Sequence, residues 1–396
     1  MAEYNLSEEQ REFQKLARDF AVREVAPKAA HFDETGVRPE EVLKKAWEAG
    51  LTNVMAPDAV GGLQLPLFEA ALIQEELSTG CSAIAAYSET SNIAQLPLLA
   101  ENDQKRLSKF IQPLIDELKF AGYATNLLRT ISGDDLSDLP TLRQTGENNS
   151  NFELDGKVRV VLAGNCEWFV TLARTISNDE KASESSNQFA NTIVIVPTNT
   201  EGLKIAEPIK PLGRKCVPIA DIEMRAIGLT ADCVVGRIGG AQEFLPIVLP
   251  KAYLLLAASA IGTAKSALQH SIIYGKERFT FGVPIASHQG IGFMLADMAK
   301  DIEAARLLTY KSCQLIDLDD SDETAMSAAL EAKVFAQEMS MRVTTDAVQV
   351  FGGYGYSREY PVEKLMRDAK SFQLVGGVSQ SQLADIGRKA LHEALT

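Results

Sequence analysis

Three segments of the chain carry residue types suited to holding a ligand. The first is Arg278-Phe279-Thr280-Phe281-Gly282, followed by Pro284-Ile285 and Gln289. The second is Asp346-Ala347-Val348-Gln349-Val350-Phe351-Gly352-Gly353-Tyr354-Gly355. The third is Tyr360-Pro361-Val362-Glu363-Lys364-Leu365-Met366-Arg367-Asp368-Ala369-Lys370. An arginine offers a planar, bidentate fork for phosphate. Paired glycines let a ligand come close to the backbone. Each segment also has an ordinary reading, as a helix C-cap at Gly352 or a surface ion pair at Arg367–Asp368. For any one segment alone the ordinary reading wins. Metal chemistry is not indicated, because no pair of the five cysteines has CxxC spacing and the four histidines are scattered.

The elements that must position these segments follow from periodicity. Ser7 followed by Gln10 reads as a capping box, and Phe13, Leu16, Ala17 and Phe20 then form one helical face. Pro39 opens a helix that Gly50 closes, and Gly61-Gly62 form a turn. A further helix is expected over 66–80, with the pattern continuing past a break at Pro97 to about residue 113. From about residue 118 the period shortens. Strands are expected at 158–162, 169–172 and 192–196, in a β-domain of short strands resembling a small barrel. After residue 239 helices return. Ile291, Leu295, Met298, Ile302 and Ala305 alternate spacings of four and three, the stripe of a long bundle helix. Similar patterns cover 245–275, 322–351 and 379–394. The expected organisation is α+β: an N-terminal helical domain (1–117), a middle β-domain (118–238) and a C-terminal four-helix bundle (239–396).

The 396 residues are 46% hydrophobic, enough for a large core divided among domains. The net charge of −14 disfavours nucleic acid and anionic membrane surfaces. No apolar run is expected to reach the roughly 20 residues that span a bilayer. The opening MAEYNLSEEQ reads as neither signal nor transit peptide, which places the protein in the cytoplasm as an expectation.

Taken together, the three segments resemble acyl-CoA dehydrogenases, most closely the medium-chain type. Ala46-Trp47-Glu48-Ala49-Gly50-Leu51 and Glu75-Glu76-Leu77-Ser78-Thr79-Gly80-Cys81 extend the resemblance to nearly the whole chain, weakest between about 125 and 190. The resemblance implies a tetramer and an FAD-dependent oxidation of an acyl-CoA thioester. It also implies electron delivery to an electron-transfer flavoprotein. Arg278, Phe281, Gln289, Gln349, Gly352 and Gly353 match positions that hold the adenosine diphosphate half of FAD, contacted in the family largely by the neighbouring subunit. Thr125 matches a flavin contact.

The sequence departs from the family where the base should be. Abstracting a weakly acidic α-proton needs a desolvated carboxylate close to the carbon. Gly376 stands at the family's usual glutamate position, and Ala252 at the alternative one. Tyr253 replaces an expected arginine, and the nearby Lys251 is a poor base at neutral pH. Ring contacts are altered too. Thr125-Asn126-Leu127 and the run from Leu128 to Asp134 replace polar family segments, with a small insertion. Val160-Val161-Leu162 and Val378 replace further polar positions. The leading expectation is a non-catalytic subunit of a heteromeric acyl-CoA dehydrogenase, sharing FAD with a catalytic partner. The alternatives are a flavoenzyme acting on an unusual acyl-CoA, a flavin-free binding protein, and an ordinary dehydrogenase whose acid is not located.

Overall fold

The Gln10 amide donates to the Ser7 hydroxyl, and the Ser7 amide donates to the Gln10 side chain. This reciprocal cap starts α1 (Glu8–Phe20) where the sequence places it. The structure is a computed structural model that describes residues 6–128, 138–145, 151–176, 191–320, 323–377 and 379–393. After α1 come α2 (Ala29–Thr35), α3 (Glu40–Glu48), α4 (Leu67–Glu101) and the short α5 (Gln104–Arg106) and α6 (Gln112–Asp116). The expected helix end at Gly80 is present as a kink, because Cys81 leaves the helical region (φ −169°, ψ 113°) and divides α4 into two helical stretches, whereas Pro97 does not break the second one. Gly80 is there for packing, since a Cβ would lie 2.9 Å from the Ala21 carbonyl oxygen. Pro97 forfeits one intrahelical bond, but buried Ile93, Ala94, Leu96 and Leu98 hold the helix around it.

The strands are β1 (Ala121–Ala124), β2 (Thr141–Thr145), β3 (Asn151–Val161), β4 (Trp168–Ile176), β5 (Asn191–Pro197), β6 (Leu203–Ile205), β7 (Ile219–Thr230) and β8 (Val234–Val235). They form one sheet in the order β6-β7-β3-β1-β4-β5-β8, with β2 also pairing β3 and β4. The three strands read from the sequence lie within β3, β4 and β5. Leu162 falls just past β3, in the left-handed region at φ +63°.

The third part is α7 (Ala241–Glu277), a hairpin of β9 (Phe279–Thr280) and β10 (Val283–Pro284), then α8 (Gln289–Leu318), α9 (Glu323–Phe351), α10 (Val362–Phe372) and α11 (Ser379–Glu393). Met298, Ile302 and Ala305 of the α8 stripe are buried. By length and composition α7 is apolar enough to cross a membrane. Its residues from Ala252 to Ala267 are buried without interruption against α4, α8 and α9, so a core position accounts for that composition.

Candidate functional site

Arg278 ends α7. Its amide donates to the Tyr274 carbonyl at 2.8 Å, and its own carbonyl accepts from the Ile285 amide at 2.7 Å across the hairpin. The turn holds Phe281 at φ +53° and leaves the side chain 97% exposed. A bulky residue in the left-handed region is strained, and its ring meets His288 edge-on at 6.1 Å while staying open to solvent. The Thr280 hydroxyl and His288 Nε2, 2.9 Å apart, brace the hairpin, and α8 starts at Gln289. α9 packs on α8 and returns to the same end, bringing Gln349, Gly352 and Gly353 there. The Arg278 guanidinium lies over the Tyr354 ring at 5.8 Å.

The two glycines differ. Gly352 ends α9 at φ +59°, as a helix C-cap does. Gly353 needs no left-handed backbone, and a Cβ there would meet nothing within 4 Å. Neither packing nor conformation within the chain calls for glycine at 353. Arg278, Phe281, Gln289, Gln349, Gly352 and Gly353 are all exposed. Thr125 is exposed as well, but it begins a turn (Thr125–Leu128) at the end of β1, on the sheet. Its neighbour Asn126 is buried and bound to the Leu172 backbone.

The positions expected for a base look different. Gly376 is buried at φ +72°, and a Cβ there would lie 3.0 Å from Leu256 Cδ1 and 3.7 Å from Lys333 Nζ. Lys333, only 1% exposed, donates to the carbonyls of Gly376 (3.4 Å) and Gly377 (3.2 Å) and to Gln382 Oε1 (2.7 Å). Burial pushes its pKa down to about 7, while Glu338 acts in the opposite sense. The three oxygen acceptors around Nζ also favour the ammonium. Tyr253 is buried with its ring 5.8 Å from that nitrogen, and Ala252 is fully buried. Lys251 turns away to pair with Asp320 at 2.9 Å. Val160 and Leu162 are wholly buried and apolar. Val378 and the run 129–134 lie outside the described residues.

The surface-pair reading of Arg367–Asp368 is overturned. Arg367 reaches across to Asp33 (2.6 and 3.0 Å) and along its own helix to Glu363 (2.7 and 2.9 Å). Asp368 is wholly buried and accepts from the Arg214 amide (2.5 Å), Lys364 (2.6 Å) and Ser82 (3.2 Å). Arg214 continues to Glu89 at 2.8 Å, whose other oxygen accepts from Ser259. This network joins α4, α7, α10 and the loop before β7. The i, i+4 spacing of Lys364 and Asp368 was a visible signal; partners on other elements leave none.

Residues 7–117 match the family model described as "Acyl-CoA dehydrogenase, N-terminal domain", and residues 250–391 the one described as "Acyl-CoA dehydrogenase, C-terminal domain". The chain is 32% identical to the cyclohex-1-ene-1-carbonyl-CoA dehydrogenase of Geobacter metallireducens, over 98% of this chain and 99% of that protein. It is 31% identical to "Probable acyl-CoA dehydrogenase YngJ" of Bacillus subtilis, over 98% and 99% respectively. The solved butyryl-CoA dehydrogenase of Megasphaera elsdenii superposes with a TM-score of 0.88 at 28% identity, covering 98% of this chain and all of that one. The N-terminal helices, the central sheet and the C-terminal helices are those of that fold, and the chain belongs to the acyl-CoA dehydrogenase family.

Proposed function

We propose that this chain is a non-catalytic subunit of a heteromeric, FAD-dependent acyl-CoA dehydrogenase, and that it completes the cofactor site of a catalytic relative. One contrast carries the reading. The six residues matching the adenosine diphosphate side of FAD are exposed at one end of the bundle, headed by the strained Phe281. Apart from the exposed Thr125, the described positions matching the base and the ring side are buried and filled by Leu256, Tyr253, Lys333, Val160 and Leu162. These residues fit the diphosphate half of the cofactor and not its ring half. Bound to the partner, FAD supplies the hydride acceptor. In this chain Arg278 offers its fork to the pyrophosphate, Phe281, Gln289 and Gln349 flank the nucleotide, and Gly353 leaves room for close approach. The assembly is a tetramer that hands electrons to an electron-transfer flavoprotein.

The test is a pair reconstituted with a flavin-bearing relative. Charge-assisted bonds from arginine to phosphate are worth roughly 1.5–3 kcal/mol. Arg278→Ala should therefore weaken FAD binding by about ten- to a hundredfold. Because Arg278 is exposed, the complex should stay assembled on gel filtration while its flavin absorbance falls. Unchanged flavin content and activity would defeat the shared-site reading. Purified alone, the chain should lose FAD on gel filtration, and a stoichiometric yellow homomer would contradict this. If no flavin-bearing relative co-purifies from the native host, the binding-protein reading takes first place.

A further inference from the structure

A cleft of about 930 Å3 opens between the α1–α2 bend, α7 and the start of α10, and its wall residue Tyr360 packs on Tyr354, the ring beneath Arg278. That volume lies within the roughly 300–1,000 Å3 of small-molecule sites. One wall is apolar. Val22, Ala26, Ala29 and Ala30 line it, and Val22 is 65% exposed. No element of the chain covers this strip among the described residues.

The facing wall is polar and incompletely bonded. Ser266 and His270 stand one turn apart on α7 and both line the cleft. Ser266 is 5% exposed as a residue, and its hydroxyl, on the cleft wall, is bonded to no described residue of the chain. A hydroxyl facing an open cleft can bond water or a ligand oxygen there. The His270 ring also has no protein partner there, and burial lowers its pKa, which keeps it neutral with one N–H to donate.

The cleft also receives the start of α10, an 11-residue helix whose N-cap, Pro361, makes no side-chain cap. Its free first-turn amides carry the positive end of the helix dipole. Most carboxylates of the lining are already engaged. Glu76 takes Arg18 and Lys265, both at 2.8 Å, and Arg367 holds Asp33 and Glu363. Glu34 and Glu359 stand exposed at the rim. Arg18 donates to Glu76 through one nitrogen, and Arg358 has no ion-pair partner among the described residues.

We propose that this cleft binds a small organic anion with an apolar body. The carboxylate or phosphate head lies at the start of α10, met by Ser266 and His270, and the body lies along Val22, Ala26 and Ala30. Nothing in this site depends on a partner subunit or on FAD.

The full-length chain would be titrated calorimetrically with octanoate, octyl phosphate and acetate. At least one of the octyl anions should bind saturably, and at least tenfold more tightly than acetate, because each buried methylene is worth roughly fourfold. The tighter of the two names the head group. Ser266→Ala should weaken binding by about threefold to tenfold. Ala30→Trp should abolish it by filling the cleft, and since Ala30 is exposed the core should not be disturbed. FAD occupancy of a reconstituted pair should not respond to Ala30→Trp, which separates this site from the one at Arg278. The proposal is overturned if neither octyl anion binds saturably, if acetate binds as tightly, or if Ala30→Trp binds like the parent.

Discussion

Purified alone, the chain should oxidise saturated acyl-CoA at least roughly 10²–10⁴ times more slowly than a base-bearing relative, the range general-base catalysis supplies. The α-proton must go to a base within hydrogen-bonding reach, and neither Gly376 nor Ala252 presents one. Lys333 is the nearest titratable group to Gly376 in the geometry above, and its nitrogen is surrounded by three acceptors. Its pKa of about 7 leaves part of it neutral at neutral pH, but its three bonds to those oxygens hold the nitrogen in place. Dye-coupled reduction by the isolated chain and by the reconstituted pair, at matched FAD, measures the difference. Turnover by the isolated chain at the pair's rate would sink the expectation.

The same geometry predicts that Gly376→Glu does not restore activity. The backbone at 376 has φ +72°, which L side chains adopt at a cost of roughly 1–3 kcal/mol. The new Cβ would press on Leu256, itself 2% exposed with little room to yield. The introduced carboxylate would then lie beside Lys333. An adjacent ammonium lowers a carboxylate's pKa and makes it a weaker base. An active Gly376→Glu homomer would show that this pocket is more open than its packing indicates.

Why some of this was legible in sequence and some was not follows from the range of each interaction. The cap at Ser7 and Gln10, the α8 stripe and the three core strands are local patterns, written within a few residues. The helix end at Gly80 was legible because glycine is a usual terminator, and the packing against Ala21 adds why glycine stands there, but Pro97 was misread as a break because buried neighbours carry the helix through it. The motifs around Arg278 and Gly352 could be matched one by one, but not their shared end of the bundle, which depends on α9 returning along α8. Lys333 gave no warning, since one lysine in a helix reads as solvated until Gly376, Gly377 and Gln382 close over it. Asp368 was misread for the same reason: its partners Arg214 and Ser82 lie on distant elements.

The largest loss of stability is expected where α4 meets α8. Glu75 on α4 is 1% exposed and accepts from Arg306 of α8 at 2.9–3.2 Å, from the Tyr310 hydroxyl at 2.8 Å and from Lys265 at 3.4 Å. The same two helices meet again where Asp317 caps the start of α4, accepting from the Leu67 and Phe68 amides at 2.9 Å. Arg306→Ala leaves a buried carboxylate with its main cation gone. Breaking a buried pair from one side costs about 3–5 kcal/mol, a large part of the roughly 5–15 kcal/mol that holds a domain folded. The pH dependence identifies the cause. Burial alone would raise the Glu75 pKa, but the charges of Arg306 and Lys265, with hydrogen bonds from Arg306 and Tyr310, hold it down at about 2 against an ordinary 4.5. A lowered carboxylate stabilises the fold above its unfolded pKa, and that contribution is lost as pH falls from about 4.5 towards 2. Without Arg306, burial prevails, the carboxyl takes up its proton more readily in the folded chain, and acid relieves the buried charge. The stability gap between parent and Arg306→Ala should therefore be widest near neutral pH and narrow towards pH 3, as read by denaturant midpoints at each pH. Arg306→Met, which keeps much of the side-chain volume, should show the same narrowing. A gap that stays constant with pH would mean that Arg306 acts through packing, and that the pairing with Glu75 contributes little to holding α8 on α4.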